Sequence, residues 1–394
     1  MFSDRTNWKL TRNRFSEALE EVRAAAGEIL DLTLSNPTRA GLHYDVAAIL
    51  SALSAPQAMD YDAQPKGLPS AREAVAEYYR TRYGVAEFLA ERLVLTSSTS
   101  EGYSYVFRLL CNAGDELLVP KPSYPLFEFL ADLQDVKLEA YPLLYDHGWQ
   151  MDFPSLQKAV TPRTRGVVVV HPNNPTGSYV SREEQQQLNR FCREHHLALI
   201  ADEVFLDYAH DREARPRPSF AANREALTFT LSGISKIVAL PQMKVAWIAA
   251  SGPPAEVDEA MARLEVIADT YLSMNAPIQW ATPVLLAQRE NIQKQLLDRV
   301  LANLGELDRQ LAAQKTCQRL HVQGGWYAVL RVPVTQSDED LAIAVLRQKA
   351  VVVHPGHFYD FPSDGYLVLS LITPTAKFAE GIEKLLEVVH QGRS

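Results

Sequence analysis

The stretch Leu231-Ser-Gly-Ile-Ser-Lys-Ile-Val-Ala-Leu-Pro-Gln-Met-Lys244 decides how the rest of the chain is read. It continues Ala226-Leu-Thr-Phe-Thr-Leu231, an apolar and β-branched run that reads as a buried strand, so the amine of Lys236 is expected at that strand's C-terminal edge. Open α/β sheets hold their ligands at that edge. A lysine alone is nearly always a surface residue. What else reaches the same edge therefore decides what Lys236 is for.

Working outward, apolar strands are expected at 92–96, 116–119, 137–141, 166–171, 198–201, 226–231 and 245–250, with helical patterns between most of them. Val167-Val-Val-Val170 is the continuous apolar run that a sheet covered on both faces requires. Helices are expected at 10–26, near 44–53 and at 69–82, where Ala71, Ala74, Val75 and Tyr78 share a face. Another opens on the capping box Ser181-Arg-Glu-Glu184. Toward the C-terminus come a long helical pattern over 281–314, strands at 351–353 and 367–371, and helices at 338–347 and 376–390. The pattern is α/β: a large domain with a mostly parallel seven-stranded sheet sandwiched by helices, plus a smaller α/β domain from the N- and C-terminal segments. The expected boundaries are 1–45 for the N-terminal part of the small domain, 46–284 for the large domain and 285–394 for the C-terminal part.

With 394 residues and 47% hydrophobic content the chain can bury a large core. Its net charge of -9, without a basic block, argues against nucleic acid as a partner, because phosphate binding needs clustered Lys and Arg. The start, Met-Phe-Ser-Asp-Arg-Thr-Asn-Trp-Lys, lacks the order of a signal peptide, and no run approaches the roughly 18 to 20 apolar residues of a membrane span. A cytoplasmic protein is expected. Cys111, Cys192 and Cys317 are few and far apart, which suits a reducing compartment, and the pair His195-His196 has no partner at metal-ligand spacing. No metal site is expected.

Four loops follow expected strands, and each carries a group suited to a phosphorylated, nitrogen-containing aromatic cofactor. Thr96-Ser-Ser-Thr-Ser-Glu-Gly102 brings hydroxyls and a helix N-terminus to one point, in the form of a phosphate site. Pro120-Lys-Pro-Ser-Tyr-Pro125 offers the ring of Tyr124 for stacking. His171-Pro-Asn-Asn-Pro-Thr-Gly177 fixes Asn174 between tight turns, and Asp202-Glu203 leaves a buried strand, where a carboxylate needs a partner. A lysine can form an imine with an aldehyde, an aspartate can hold a ring nitrogen protonated, an asparagine can donate to a phenolic oxygen, and the helix cap with Lys244 can neutralise a phosphate. The cofactor with those groups is pyridoxal 5'-phosphate.

On Asn174-Pro-Thr-Gly177, Asp202-Glu203, and Ser235-Lys236 with a cation eight residues on, the chain resembles the class I/II aminotransferases of pyridoxal-phosphate fold type I, the aspartate aminotransferase-like group, from about Leu32 to Leu386. The resemblance implies that Lys236 forms the imine and shuttles a proton, that Asp202 pairs with the pyridinium nitrogen, and that Asn174 bonds the 3-oxygen. It likewise implies that Tyr124 stacks on the ring, that Ser98, Thr99 and Ser100 form the phosphate loop, and that Lys244 stands where the family commonly has arginine. Tyr61 looks like the tyrosine that reaches the phosphate of the neighbouring subunit, so a homodimer with shared sites is expected. The implied activity is transfer of an amino group from a small-molecule amino donor to a keto acceptor. The same lysine and electron sink could serve a carbon-sulfur β-lyase, and a cofactor-binding protein without turnover is the third reading.

Two positions depart from the family's pattern. Phe205 stands where a tyrosine usually shares the 3-oxygen with the asparagine; it packs but cannot donate, so the lysine linkage is expected to titrate at a higher pH than in relatives with the tyrosine. Val368-Leu369-Ser370 stands where Arg-x-Ser or Arg-x-Asn usually binds a substrate carboxylate. Arg12, Arg14 and His357 are the substitute cations to consider, with Ser35 and Asn36 as neutral donors.

Overall fold

In the computed structural model, which describes residues 1–8, 10–25, 27–85, 88–125, 127–211 and 217–391, all seven expected strands of the large sheet form. After the short β1 (Leu30–Asp31) they are β2 (Leu93–Thr96), β3 (Glu116–Lys121), β4 (Lys137–Tyr145), β6 (Thr164–Val170), β7 (Ala198–Asp202), β8 (Thr228–Gly233) and β9 (Ala246–Ser251). An eighth strand, β5 (Trp149–Met151), was not anticipated and folds back antiparallel on β4. Its turn is Asp146-His-Gly148, closed by a hydrogen bond from Asp146 N to Gly148 O, with His147 in the left-handed region at φ 53°. Three half-exposed residues give too short an alternation for a strand to be read.

The order across the sheet is β2-β9-β8-β7-β6-β3-β4-β5. The pairs from β4 through β3, β6 and β7 to β8 are parallel, and β9 runs antiparallel to both β8 and β2. The valine run of β6 shows why this layer is buried on both sides. Val168 and Val170 pack with Phe229, Leu231 and the helix Pro254–Tyr271 on one face, while Val167 and Val169 pack with Leu188 and Phe191 of the helix Arg182–His195 on the other. Each buried valine contributes about 1.5–3 kcal/mol relative to exposure.

The N- and C-terminal segments meet. β1 pairs in parallel with β12 (Val351–Val352), and beside them lies an antiparallel sheet of β10 (Gln318–Arg319), β11 (Tyr327–Arg331), β13 (His354–Pro355) and β14 (Tyr366–Ser370), in the order β10-β11-β14-β13. Gly381 of the helix Thr375–Gln391 lets Leu32 approach so closely that a Cβ there would lie 2.8 Å from its Cδ2. The long helical pattern divides into Ala276–Ala287 and Arg289–Ala312, because Gln288 N bonds to Leu285 O and tightens the turn between them. Among the described residues no helix is long and apolar enough to cross a membrane.

Candidate active site

The C-terminal ends of β2, β3, β6, β7 and β8 open into one cavity of ≈ 380 Å³. Thr99, Ser100, Tyr124, Asn174, Asp202, Phe205, Ser235 and Lys236 all line it, so eight of the residues singled out in the sequence converge. Ser98, Lys244 and Tyr61 are not on its wall. Ser98 is the N-cap of the helix Thr99–Leu110, its hydroxyl accepting from Glu101 N at 3.2 Å. Lys244 is exposed, and Tyr61 is 81% exposed beside a separate hollow formed with Leu68, Gln279 and Trp280.

Each element delivers its group for a local reason. At the end of β6, Asn173 forms the turn: its Oδ1 accepts from Thr176 N and Thr176 Oγ1, and its carbonyl accepts from Gly177 N. Gly177 sits at φ +68° against Val322 and the carbonyl of Gly324, where a side chain has no room. Asn174 is thereby left to the cavity, with its Oδ1 buried and unpartnered within the described chain. At the end of β2, the first amides of the helix Thr99–Leu110 have no intrahelical partners and face the same space as the Thr99 and Ser100 hydroxyls.

Asp202 ends β7 with one carboxylate oxygen accepting from Val204 N at 3.1 Å and the other from Tyr103 Oη at 2.9 Å. Burial pushes its carboxyl up, against those two hydrogen bonds and the attraction of Lys236. Lys236 lies in the single turn Ile234–Ile237 after β8, its Nζ 5.0 Å from the centroid of Trp326 and 5.5 Å from that of Phe205. Burial brings its ammonium down to about 8, while Asp202 pulls the other way. The backbone around it is held from outside the cavity: Tyr208 Oη donates to Lys236 O at 2.5 Å, and Gln293 Nε2 donates to Ile237 O at 3.0 Å and to Asp207 Oδ2 at 2.7 Å.

The donor set fits pyridoxal phosphate. A buried carboxylate with no cation in contact suits a protonated ring nitrogen, a side-chain amide left to the cavity suits a phenolic oxygen through its N–H, a helix N-terminus suits a phosphate, and an amine of lowered pKa suits an aldehyde.

The substitute cations considered for the substrate carboxylate are not at the cavity. Arg12 pairs with Glu20, Arg14 with Glu339 and Asp340, and His357 is exposed, each on the outer surface where charged side chains find solvent and counter-ions. Asn36 is not on the cavity wall and caps the next turn, its Oδ1 accepting from Thr38 N at 3.1 Å, whereas Ser35 does line the cavity. Val368 is 1% exposed within the small sheet. Sequence reasoning missed Tyr103, Tyr327, His354 and Tyr359, all on the wall. Tyr103 was recoverable, four residues and about one helical turn after Thr99. The other three arrive through the small sheet, and no local pattern announces them.

A family model described as aminotransferase class I and II matches residues 26–385. Over 268 residues the chain is 30% identical to the glutamate-pyruvate aminotransferase AlaA of Escherichia coli (strain K12), an alignment covering 68% of this chain and 65% of that protein's length. It is 27% identical over 371 residues to the alanine aminotransferase of Mycobacterium tuberculosis (strain ATCC 25618 / H37Rv), covering 92% of this chain and 86% of the relative. Among solved structures, alanine aminotransferase from Pyrococcus furiosus superposes with a TM-score of 0.89 at 20% identity, covering 99% of this chain and 100% of the other. A Thermus thermophilus aspartate aminotransferase single mutant gives 0.84 at 22% identity, covering 98% and 99%. The two structural likenesses establish the fold.

Proposed function

This chain belongs to the class I and II aminotransferases, a family that works with pyridoxal phosphate, and we propose that it moves an amino group between an amino acid and a keto acid at the cavity around Lys236. The observation that carries this reading is the convergence of Lys236, Asp202 and Asn174 on one cavity beside a helix N-terminus. The names of the relatives make alanine, glutamate and pyruvate the first substrates to test.

When bound, pyridoxal phosphate supplies an aldehyde and a ring that accepts electron density from the substrate's α-carbon. Lys236 Nζ, brought down to about 8 by burial, is closer to its neutral form at neutral pH than an ordinary lysine and can take the α-proton and return it. Asp202 keeps a proton on the ring nitrogen, and Tyr103 and Val204 N keep Asp202 oriented for that task. Asn174 would bond the phenolic oxygen. Thr99, Ser100, Ser235 and the helix amides would hold the phosphate, with Ser98 capping that helix and Lys244 adding positive charge from further out. Phe205 and Trp326 exclude water from the side of Lys236, and Tyr124 covers the ring. The exposure of Tyr61 fits a homodimer in which it completes the partner's site. The small-molecule chemistry suits the cytoplasm.

The test is the half-reaction: amino donors are added to the loaded protein, and the visible band is followed as it converts to that of pyridoxamine phosphate. Conversion that is lost in Lys236→Ala supports the reading. Release of keto acid and ammonia without pyridoxamine phosphate would replace it with a lyase.

A further inference from the structure

One wall of the cavity is built by the small sheet and the turn Gly356–Tyr359 that follows β13. Ser35, Tyr327, His354 and Tyr359 line it there, and apart from Lys236 the only basic side chain on the wall among the described residues is His354. His354 reaches the cavity from β13, where its Cα partner across the strands is Val368. Directly opposed residues project to the same face of an antiparallel pair, so a long side chain at 368 would extend along the same face as the imidazole. Its Nδ1 lies 3.1 Å from Tyr359 Oη.

A substrate carboxylate brought into this cavity loses its water and needs donors in exchange. We propose that His354 is the donor that receives it, with Tyr359 as the positioning residue, and that the enzyme takes α-amino acids with uncharged side chains. In this proposal Tyr359 Oη donates to Nδ1 across the 3.1 Å contact, which would place the imidazole's proton on Nε2, the nitrogen left to serve the ligand. The second half of the proposal follows from the side chains that this chain itself puts on the wall. One imidazole can serve one carboxylate, and among the described residues of this chain no guanidinium lines the cavity to take a second. Phe127 and Tyr327 instead offer rings to an apolar or aromatic side chain. The inference rests on the aminotransferase reading and narrows it, since glutamate is a named substrate of one relative.

The experiment compares the wild type with His354→Ala and His354→Gln, using L-alanine, L-phenylalanine, L-glutamate and the carboxylate-free amine 2-phenylethylamine, each followed through the visible band. The dissociation constant of unreactive 3-phenylpropanoate is measured by the same absorbance. In His354→Ala, KM for alanine and phenylalanine and the dissociation constant of 3-phenylpropanoate should rise about 10- to 100-fold, the size of one hydrogen bond to a charged group. kcat should change far less, and KM for the amine should stay the same. Gln, which keeps a neutral N–H, should recover part of the loss.

Equal rises for the amine and the amino acids would show a merely structural role and overturn the proposal, as would unchanged binding of 3-phenylpropanoate. Wild-type kcat/KM for glutamate at or above that for alanine would overturn the uncharged-side-chain half without any variant. If no donor converts the band at all, the aminotransferase reading itself has failed. That outcome is distinct from a wild type that turns over alanine and a His354 variant that does so equally well.

Discussion

Tyr103 Oη donates a 2.9 Å hydrogen bond to Asp202 Oδ2, tying the helix that opens the phosphate-type site to the carboxylate at the end of β7. The bond counters the burial that pushes the Asp202 carboxyl up. Tyr103→Phe removes a hydrogen bond to a charged acceptor, about 1.5–3 kcal/mol. The variant should hold pyridoxal phosphate about 10- to 100-fold less tightly near neutral pH, because Asp202 keeps its proton to a higher pH and loses its charge. Equilibrium titration of cofactor fluorescence reads this, and an unchanged affinity would refute it.

Phe205 packs at 5.2 Å from the Trp326 ring and lines the cavity, but it carries no donor. Phe205→Tyr adds one hydroxyl able to bond the ring's phenolic oxygen. Withdrawing negative charge from that oxygen weakens its hold on the linked proton, so the midpoint of the visible absorbance titration should fall by about one pH unit. The measurement is a spectrophotometric pH titration of both proteins, and coincident curves would show that the new hydroxyl does not reach the ring.

Lys236 titrates at about 8 because its surroundings exclude water, where an ordinary lysine titrates at 10.5. Only the neutral amine attacks an aldehyde. The rate at which cofactor-free protein takes up pyridoxal phosphate should therefore rise about tenfold per unit up to pH 8 and level off above it. A rate that keeps climbing toward pH 10 would mean an amine without the shift. Lys236→Ala should show no covalent uptake at any pH.

Asp207 has a side chain 1% exposed and takes hydrogen bonds from Tyr78, Tyr83, Arg82 and Gln293. Gln293 passes that anchoring to the carbonyl of Ile237, next to Lys236. Removing the carboxylate strands a partly buried guanidinium and several donors. Asp207→Ala should lose about 3–5 kcal/mol in urea denaturation, the usual size for breaking a buried pair. A loss below 1 kcal/mol would show that water replaces the carboxylate there.

Glu203 is pushed up to about 8 by burial, against hydrogen bonds of 2.6 Å from Ser219 Oγ and from Phe220 N. Unfolded, the same carboxyl titrates near 4.5. Between those values the folded protein retains a proton that the unfolded chain has released, so the folded state binds more protons and this group's contribution to stability falls as pH rises through the window. Glu203→Gln removes that slope. Denaturation midpoints from pH 5 to pH 8 should decline less steeply in the variant, and parallel profiles would contradict the shift.

What the amino-acid sequence determined by itself was everything carried by local pattern. The valine run of β6, the glycine and proline punctuation around Asn174, the hydroxyls before the helix Thr99–Leu110 and the strand before Lys236 each have a signature within about ten residues, and in a parallel sheet all such strand ends fall on one edge. The cavity wall built from the large sheet was therefore legible. Tertiary structure alone decided the opposing wall. His354 and Tyr359 reach the cavity only because β13 pairs with β14, and Ser35 only because the N-terminal segment joins β12, more than 300 residues away in the chain. Arg12, Arg14 and His357 had the right charge and the wrong place, since a cation's role depends on what surrounds it, and these three lie on the outer surface. Pairings between distant segments leave no periodicity to read, which is why the residues of that wall appear only once the two sheets are set against each other.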